Sequence, residues 1–84
     1  MARLKIKVKY ITSRLREQFN VPEEETVFLP EGSTYEDFYN FFNEKHKLNN
    51  TDIGVFSEGQ NILLKLKEPI THFVIDVMPL VSGG

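Results

Sequence analysis

Apolar and charged residues alternate strictly through Leu4-Lys5-Ile6-Lys7-Val8-Lys9-Tyr10. A period of two puts every second side chain on one face of an extended segment. These positions predict a half-buried strand, with Leu4, Ile6, Val8 and Tyr10 toward a core and Lys5, Lys7 and Lys9 in water. The spacing then changes. Leu15 and Phe19 stand four apart, which predicts one face of a short helical turn over residues 14–19. Thr12 or Ser13 would cap it, and Asn20 and Pro22 would stop it. Glu23-Glu24-Glu25 reads as an acidic loop, residues 26–29 as a second short strand, and Pro30-Glu31-Gly32 as a turn. Ser33-Thr34-Tyr35-Glu36 matches a capping box, in which the Ser33 hydroxyl accepts from the Glu36 amide and the Glu36 carboxylate accepts from the Ser33 amide. The main helix follows, to about Lys47, with Tyr35, Phe38, Phe41, Phe42 and the aliphatic stem of Lys45 on one face. Leu48 is expected to pack just past its end, and Asn49-Asn50 to provide the exit.

The second half of the chain is richer in strand signals. Residues 53–56 predict a third strand, and residues 57–61 a hairpin turn in which Gly59 takes positive φ. Residues 62–66 form a fourth apolar segment, broken by Glu68-Pro69. Residues 72–78 form the last strand, and their apolar run predicts a central position buried on both faces. Pro79 ends it. One sheet of four or five strands crossed by one principal helix is an α+β domain. The first and last strands are long and apolar, so they are the natural centre of a mixed sheet. That is the β-grasp, or ubiquitin-like, arrangement. The domain is expected to occupy residues 1–79, with residues 80–84 as a flexible tail.

Composition narrows the function classes. A single domain of 84 residues has a thin core, and its seven Phe and three Tyr supply much of the buried area. There is no cysteine, which excludes a disulfide framework, a thiolate metal site and an internal cysteine nucleophile. No apolar run is long enough to span a bilayer, and Met1-Ala2-Arg3-Leu4-Lys5 leads into a strand without a signal-peptide pattern. A soluble, cytoplasmic protein is expected, with no membrane partner. A net charge of −2 gives no general attraction to nucleic acid. His46 and His72 lack ligand spacing, so no metal site is expected. Gly54 and Gly59 precede no helix and form no phosphate loop. Phe38, Phe41 and Phe42 read as core. Lys5, Lys7 and Lys9 read as a solvated strand face, with a phosphate contact or a role as conjugation acceptors as the other readings.

The chain closes on Ser82-Gly83-Gly84. Two glycines without Cβ make the thinnest thread a chain can form, able to carry a terminal carboxylate into a narrow channel of another protein. A frayed end is the plain alternative. Leu80 and Val81 either pack on the domain edge or anchor in a partner's groove. Pro79 fixes φ and preorganises whatever follows it. Arg14 and Arg16 read as a solvated helix face or as cations that meet partner acids or the tail.

These segments together resemble the MoaD/ThiS-like family of ubiquitin-like sulfur carriers, above all the small subunit of molybdopterin synthase and the small archaeal modifier proteins. The resemblance rests on Ile6-Lys7-Val8-Lys9-Tyr10 with Arg14-Leu15-Arg16-Glu17, on Val27-Phe28-Leu29-Pro30-Glu31-Gly32-Ser33-Thr34, and on Val77-Met78-Pro79-Leu80-Val81-Ser82-Gly83-Gly84. Leu80 stands where the family's closing motif commonly has a second proline, and the usual Gly-Asp-Glu turn before the last strand is replaced by residues 67–72. The resemblance implies a carrier or substrate protein and not an enzyme on its own. An E1-like enzyme would use ATP to adenylate the Gly84 carboxylate beside Gly83, and a sulfur donor would convert it to a thiocarboxylate. Pro79, Leu80, Val81, Ser82, Arg14 and Arg16 would meet the partner. No cofactor would be bound. The sulfur would go to an acceptor such as a molybdopterin synthase large subunit. A second reading is a ubiquitin-like modifier conjugated to target lysines through Gly84. A third is a β-grasp interaction module that is never conjugated.

Overall fold

The alternation at the start of the chain becomes strand β1, Arg3–Tyr10, in a computed structural model that describes residues 2–46 and 53–79. Then follow helix α1 (Ser13–Phe19), strand β2 (Glu24–Pro30), helix α2 (Tyr35–His46), strand β3 (Ile53–Ser57), the two-residue strand β4 (Gln60–Asn61), a 3₁₀ turn over Ile62–Leu64, and strand β5 (Val74–Pro79). The strands form one sheet in the order β2-β1-β5-β3-β4. The pairing of β1 with β5 is parallel, and the other pairs are antiparallel. The first and last strands therefore lie next to each other near the sheet's middle, as their apolar content predicts. With α2 across one face, this is the β-grasp fold.

The inward row of β1 is Ile6, Val8 and Tyr10, all buried, with Leu4 partly buried against them. Val27 and Leu29 of β2, Val55 of β3, and Ile75 and Val77 of β5 complete the sheet's side of the core. Tyr35, Phe38 and Phe42 supply the helix side, and Ile62 and Ile70 close it from the loops. Phe42 stacks on Phe38 and on Tyr10, with ring centroids 5.8 and 6.3 Å apart. Each such side chain removed from water contributes about 1.5–3 kcal/mol, so this cluster carries most of the stability of a small domain.

Several expectations are corrected. Strand β2 is longer than predicted, because Glu24 and Glu25 belong to it and pair opposite Lys9 and Val8 instead of forming a loop. The helix cap sits one residue later than the capping-box reading. Thr34 Oγ1 accepts from the Asp37 amide at 3.2 Å, and Asp37 Oδ2 accepts from the Thr34 amide at 2.9 Å. Ser33 is buried instead, and its hydroxyl donates to the Pro30 carbonyl at 2.7 Å. The amides of Tyr35 and Glu36 are taken by the carbonyls of Glu68 and Leu66, so the returning loop finishes the cap. Phe41 does not join the core. It stays 37% exposed, because Phe38 and Phe42 already fill the space under α2. The apolar segment at 62–66 is not a strand, since the Asn61 side chain accepts from the Leu63 amide and winds the chain into the 3₁₀ turn. Only Ile62 of that turn is buried, while Leu63 and Leu64 face water. Strand β5 is not buried on both faces: Ile75 and Val77 are buried, while Val74, Asp76 and Met78 on the other face are half-covered.

The caps and turns elsewhere follow the sequence. Thr12 caps α1 through a bond from the Leu15 amide, and Asn20 ends it in the left-handed region at φ 53°. Leu15 is buried as predicted, whereas the side chain of Phe19, expected on the same face, lies outside the described residues. Glu58 and Gly59 both take positive φ, 54° and 79°, which gives the tight hairpin from β3 into β4 its handedness. The predicted packing of Leu48 and the exit at Asn49-Asn50 also lie outside the described residues.

Candidate functional site at the end of the central strand

Strand β5 delivers the chain to Leu80-Val81-Ser82-Gly83-Gly84, all five of which lie outside the described residues. The geometry that can be described is that of the launching point. On one side β5 runs parallel to β1, with Lys9 beside Asp76 and Tyr10 beside Val77. The last bond on that side comes from the Ile11 amide to the Val77 carbonyl, at 2.9 Å. β1 then turns away into the cap of α1. On the other side β3 stays with β5 for longer, pairing Gly54 with Met78 and Ile53 with Pro79. Pro79 has no N–H to extend the ladder and is exposed. The departing backbone is thus held firmly up to Val77, on one side only to Pro79, and passes beside Ile11 and Ile53.

Ile11 is 47% exposed, and Ile53 is half-buried. They are the apolar neighbours of the strand's last residues, Ile11 bonded to Val77 and Ile53 opposite Pro79. Ile11 was not singled out in the sequence, although an apolar residue at the outward position after Tyr10 was a signal for it. Ile53 gave no such signal, because its nearness to Pro79 depends on the register of β3 against β5.

The two arginines separate. Arg16 is half-buried, and its Nη1 donates to the Tyr10 carbonyl at 2.8 Å, so it ties α1 to the end of β1. Arg14 is exposed. A hollow of about 190 Å³ lies beside Arg16, lined by Lys9, Tyr10, Ile11, Arg16, Glu23 and Glu24. Two cations and two carboxylates among its lining residues leave it no marked preference for either sign of charge.

Behind the exit, the Tyr10 hydroxyl donates to Glu25 Oε1 at 2.6 Å, and Lys45 Nζ lies 3.4 Å from Glu25 Oε2. Burial, then the bond to Glu25 and its negative charge, push the Tyr10 hydroxyl well above the ordinary tyrosine range. This chain of contacts joins β1, β2 and α2 and holds the end of the sheet rigid. Elsewhere, His72 Nδ1 lies 3.4 Å from Glu58 Oε1, and the side chain of His46 lies outside the described residues. Among the described residues no cluster of three or more metal-ligating side chains occurs, and no helix is long and apolar enough to cross a membrane.

Solved structures with this architecture include a Pyrococcus furiosus protein provisionally designated molybdopterin converting factor, subunit 1. It is 26% identical, with a TM-score of 0.69 over 93% of this chain and 99% of that one. The chain is a ubiquitin-like β-grasp protein that resembles the MoaD family. Small archaeal modifier protein 1 from Methanosarcina acetivorans matches over the full length of both chains, with 22% identity and a TM-score of 0.60. A Haloferax volcanii protein matches over 98% of this chain and 88% of its own, with 13% identity and a TM-score of 0.67. The last two show the fold alone. No family model and no curated protein matches the sequence. The β-grasp likeness extends from β1 to β5, so it includes the strand that launches the tail.

Proposed function

We propose that this protein is a sulfur carrier that works through its C-terminal Gly84, in the biosynthesis of the molybdenum or tungsten pterin cofactor. The observation that carries the reading is the coincidence of two features. The sequence Leu80-Val81-Ser82-Gly83-Gly84 directly follows the inner strand β5, in a chain 26% identical to a protein designated a molybdopterin converting factor subunit.

The chemistry needs no side chain of this protein as catalyst. A carboxylate is a poor electrophile. An E1-like enzyme joins the Gly84 carboxylate to the α-phosphate of ATP and expels pyrophosphate, giving an acyl-adenylate. A sulfur donor at the sulfide level then attacks the acyl carbon, the bond to AMP breaks, and the thiocarboxylate forms without net oxidation or reduction. The thiocarboxylate gives its sulfur to an acceptor bound on a second protein, such as a molybdopterin synthase large subunit. Water closes the cycle by returning Gly84 to the carboxylate. The chain's contribution is presentation: a narrow terminus that fits a channel, launched from a rigid strand.

Intact-protein mass spectrometry tests the reading. Purified chain incubated with ATP, sulfide and the E1-like enzyme of the same organism should gain the mass that replaces one oxygen by sulfur, located at Gly84. Adducts joining Gly84 to lysines of other proteins would favour the modifier reading, which the same Gly83-Gly84 terminus allows. A terminus unchanged under all these conditions would leave an interaction module.

A further inference from the structure

Strand β2 stands at one end of the sheet and pairs only with β1 among the described residues. One contact fixes its bonding pattern. The Tyr10 amide donates to the Glu23 carbonyl, and these two residues continue the register that sets Lys9 opposite Glu24. Bonded and non-bonded pairs alternate along an antiparallel ladder, so Val8 with Glu25, Ile6 with Val27 and Leu4 with Leu29 are the pairs that exchange bonds. The N–H and C=O groups of Glu24, Thr26 and Phe28 therefore point away from β1, along the outer edge of the sheet. Such a row is a template for another strand, and natural edges are usually blunted by lysine, proline or a bulge. This edge carries no lysine, its pairing with β1 runs without a bulge, and its one proline is the last residue, Pro30. Exposed rings stand beside it on both faces. Phe28 is 49% exposed on the open face, with the Arg3 guanidinium 5.1 Å from its ring centroid. Phe41, 37% exposed, lies one helical turn before Lys45, which reaches Glu25 of β2, so Phe41 is on the β2 side of α2.

The residues of this edge complement a second copy of themselves. Antiparallel pairing about a two-fold axis at Thr26 sets Thr26 against the partner's Thr26 and Glu24 against the partner's Phe28. Each of these outward pairs exchanges its N–H and C=O bonds. Thr–Thr pairs are favourable across strands. Glu24, which lies 3.8 Å from Lys7 of its own chain, also arrives beside the guanidinium seated on the partner's Phe28. The two-fold axis repeats that charge contact. Other registers are worse. Those in which Glu24 or Glu25 meets its own counterpart set like charges together. Those centred on Val27 or Phe28 bring Pro30 into the ladder, where it has no N–H to give. The lysine rows do not oppose the pairing. Three strand spacings, about 14 Å, separate the two copies of β1, more than the Debye length of about 8 Å at physiological salt.

We propose that β2 is a self-association edge, through which two copies of this chain pair antiparallel at Glu24, Thr26 and Phe28 and join their sheets into one. A contact one strand wide falls at the small end of protein interfaces, so the pairing is reversible and depends on concentration. β1 stands between β2 and β5, so the exit at Pro79 stays open in both copies. The pairing goes beyond the carrier function and does not depend on it.

Sedimentation equilibrium of the full chain tests it, between about 10 μM and about 1 mM, the range of weak association. The wild type is expected to pass from monomer to dimer over this range. Amide hydrogen exchange should slow with concentration at Glu24, Thr26 and Phe28 and stay unchanged at Val27 and Leu29, whose amides already bond to β1. Thr26→Pro removes an outward N–H and no bond to β1, and should weaken the dimer by about tenfold or more. Phe28→Glu sets carboxylates opposite each other and should weaken it by about as much. The double variant E24K/F28E puts opposite charges across each pair and should restore the dimer to within about threefold of wild type. Circular dichroism confirms each fold, and the variants at exposed Phe28 keep the test valid if proline unfolds the strand. A wild type that stays monomeric to the top of the range overturns the pairing and leaves the edge to a strand of another protein. Dimerisation that survives both Thr26→Pro and Phe28→Glu overturns it as well, as does a loss in Phe28→Glu that E24K/F28E fails to reverse. None of these outcomes bears on the mass change at Gly84, so the carrier function stands or falls apart from this pairing.

Discussion

Tyr10 is the residue on which the launching end of the sheet depends. Its ring is core, its hydroxyl donates to Glu25 at 2.6 Å, and burial with that bond raises its ionisation far above the ordinary value of 10.0. The folded chain therefore holds this proton more tightly than the unfolded chain. The stabilisation is whole below about pH 10 and is lost as pH rises beyond it. The urea midpoint of the wild type is expected to fall more steeply than that of Tyr10→Phe between about pH 9 and about pH 11. At pH 7, Tyr10→Phe should cost about 1 kcal/mol, the usual net value of one such hydrogen bond. The two arginines make a second residue-scale test. Arg16→Ala removes the bond to the Tyr10 carbonyl and should destabilise by about 1–2 kcal/mol in urea unfolding, whereas exposed Arg14→Ala should stay within about 0.5 kcal/mol of wild type. Sequence alone placed both arginines on one short helix and could not separate them. What divides them is the half-turn that brings Arg16 over the end of β1.

At the scale of elements, the instructive case is the start of α2. Ser33 and Thr34 are adjacent, and either can head a capping box, with Glu36 or Asp37 three residues on. The choice falls on Thr34 because the tight turn at Gly32, φ 90°, leaves Ser33 buried with its hydroxyl committed to the Pro30 carbonyl. The Ile70 amide then donates to the Ser33 carbonyl and locks the turn to the returning loop. Thr34→Ala is expected to lower stability by about 1 kcal/mol, and Asp37→Ala by a similar or smaller amount, measured by thermal or urea unfolding. Gly59→Ala should cost about 1 kcal/mol by the same measurement. A Cβ there meets open space, so the cost comes from φ of 79° and not from a clash. The short β4 belongs to the same lesson. Residues 62–66 have the apolar content of a strand, but the Asn61 side chain offers the Leu63 amide a nearer acceptor than any neighbouring strand.

For the whole molecule, the arrangement separates folding from chemistry. The core among the described residues is closed by β5, and glycines such as Gly83 and Gly84 have no side chain to bury. Deleting these two glycines is expected to leave the thermal midpoint within about 1 °C of wild type, because no described core contact is lost. The same deletion should abolish adenylation by the E1-like enzyme. Loss of activation together with a large fall in the midpoint would show that the tail belongs to the fold. A midpoint and an activation rate that both stay unchanged would show that the terminus is not the reacting group.

The sequence by itself determined the elements whose cause is local. Period-two alternation set β1 and its inward row, Thr12 and Asn20 bounded α1, and Glu58-Gly59 shaped the hairpin, because each depends on residues within a few positions of one another. The central place of β1 and β5 was also legible, since long strands with an apolar face belong at a sheet's middle, whereas their parallel direction came from the structure. Tertiary structure alone decided which apolar residues remain outside. Phe41, Leu63 and Leu64 have the composition of core residues, but the volume beneath α2 is already filled by Tyr35, Phe38, Phe42 and Ile62. It also decided that Glu24 and Glu25 extend β2, that Arg16 is tied down, and that Ile53 stands beside Pro79 at the exit. Those outcomes depend on strand register and on the finite volume of one small core, quantities fixed by residues far apart in the chain.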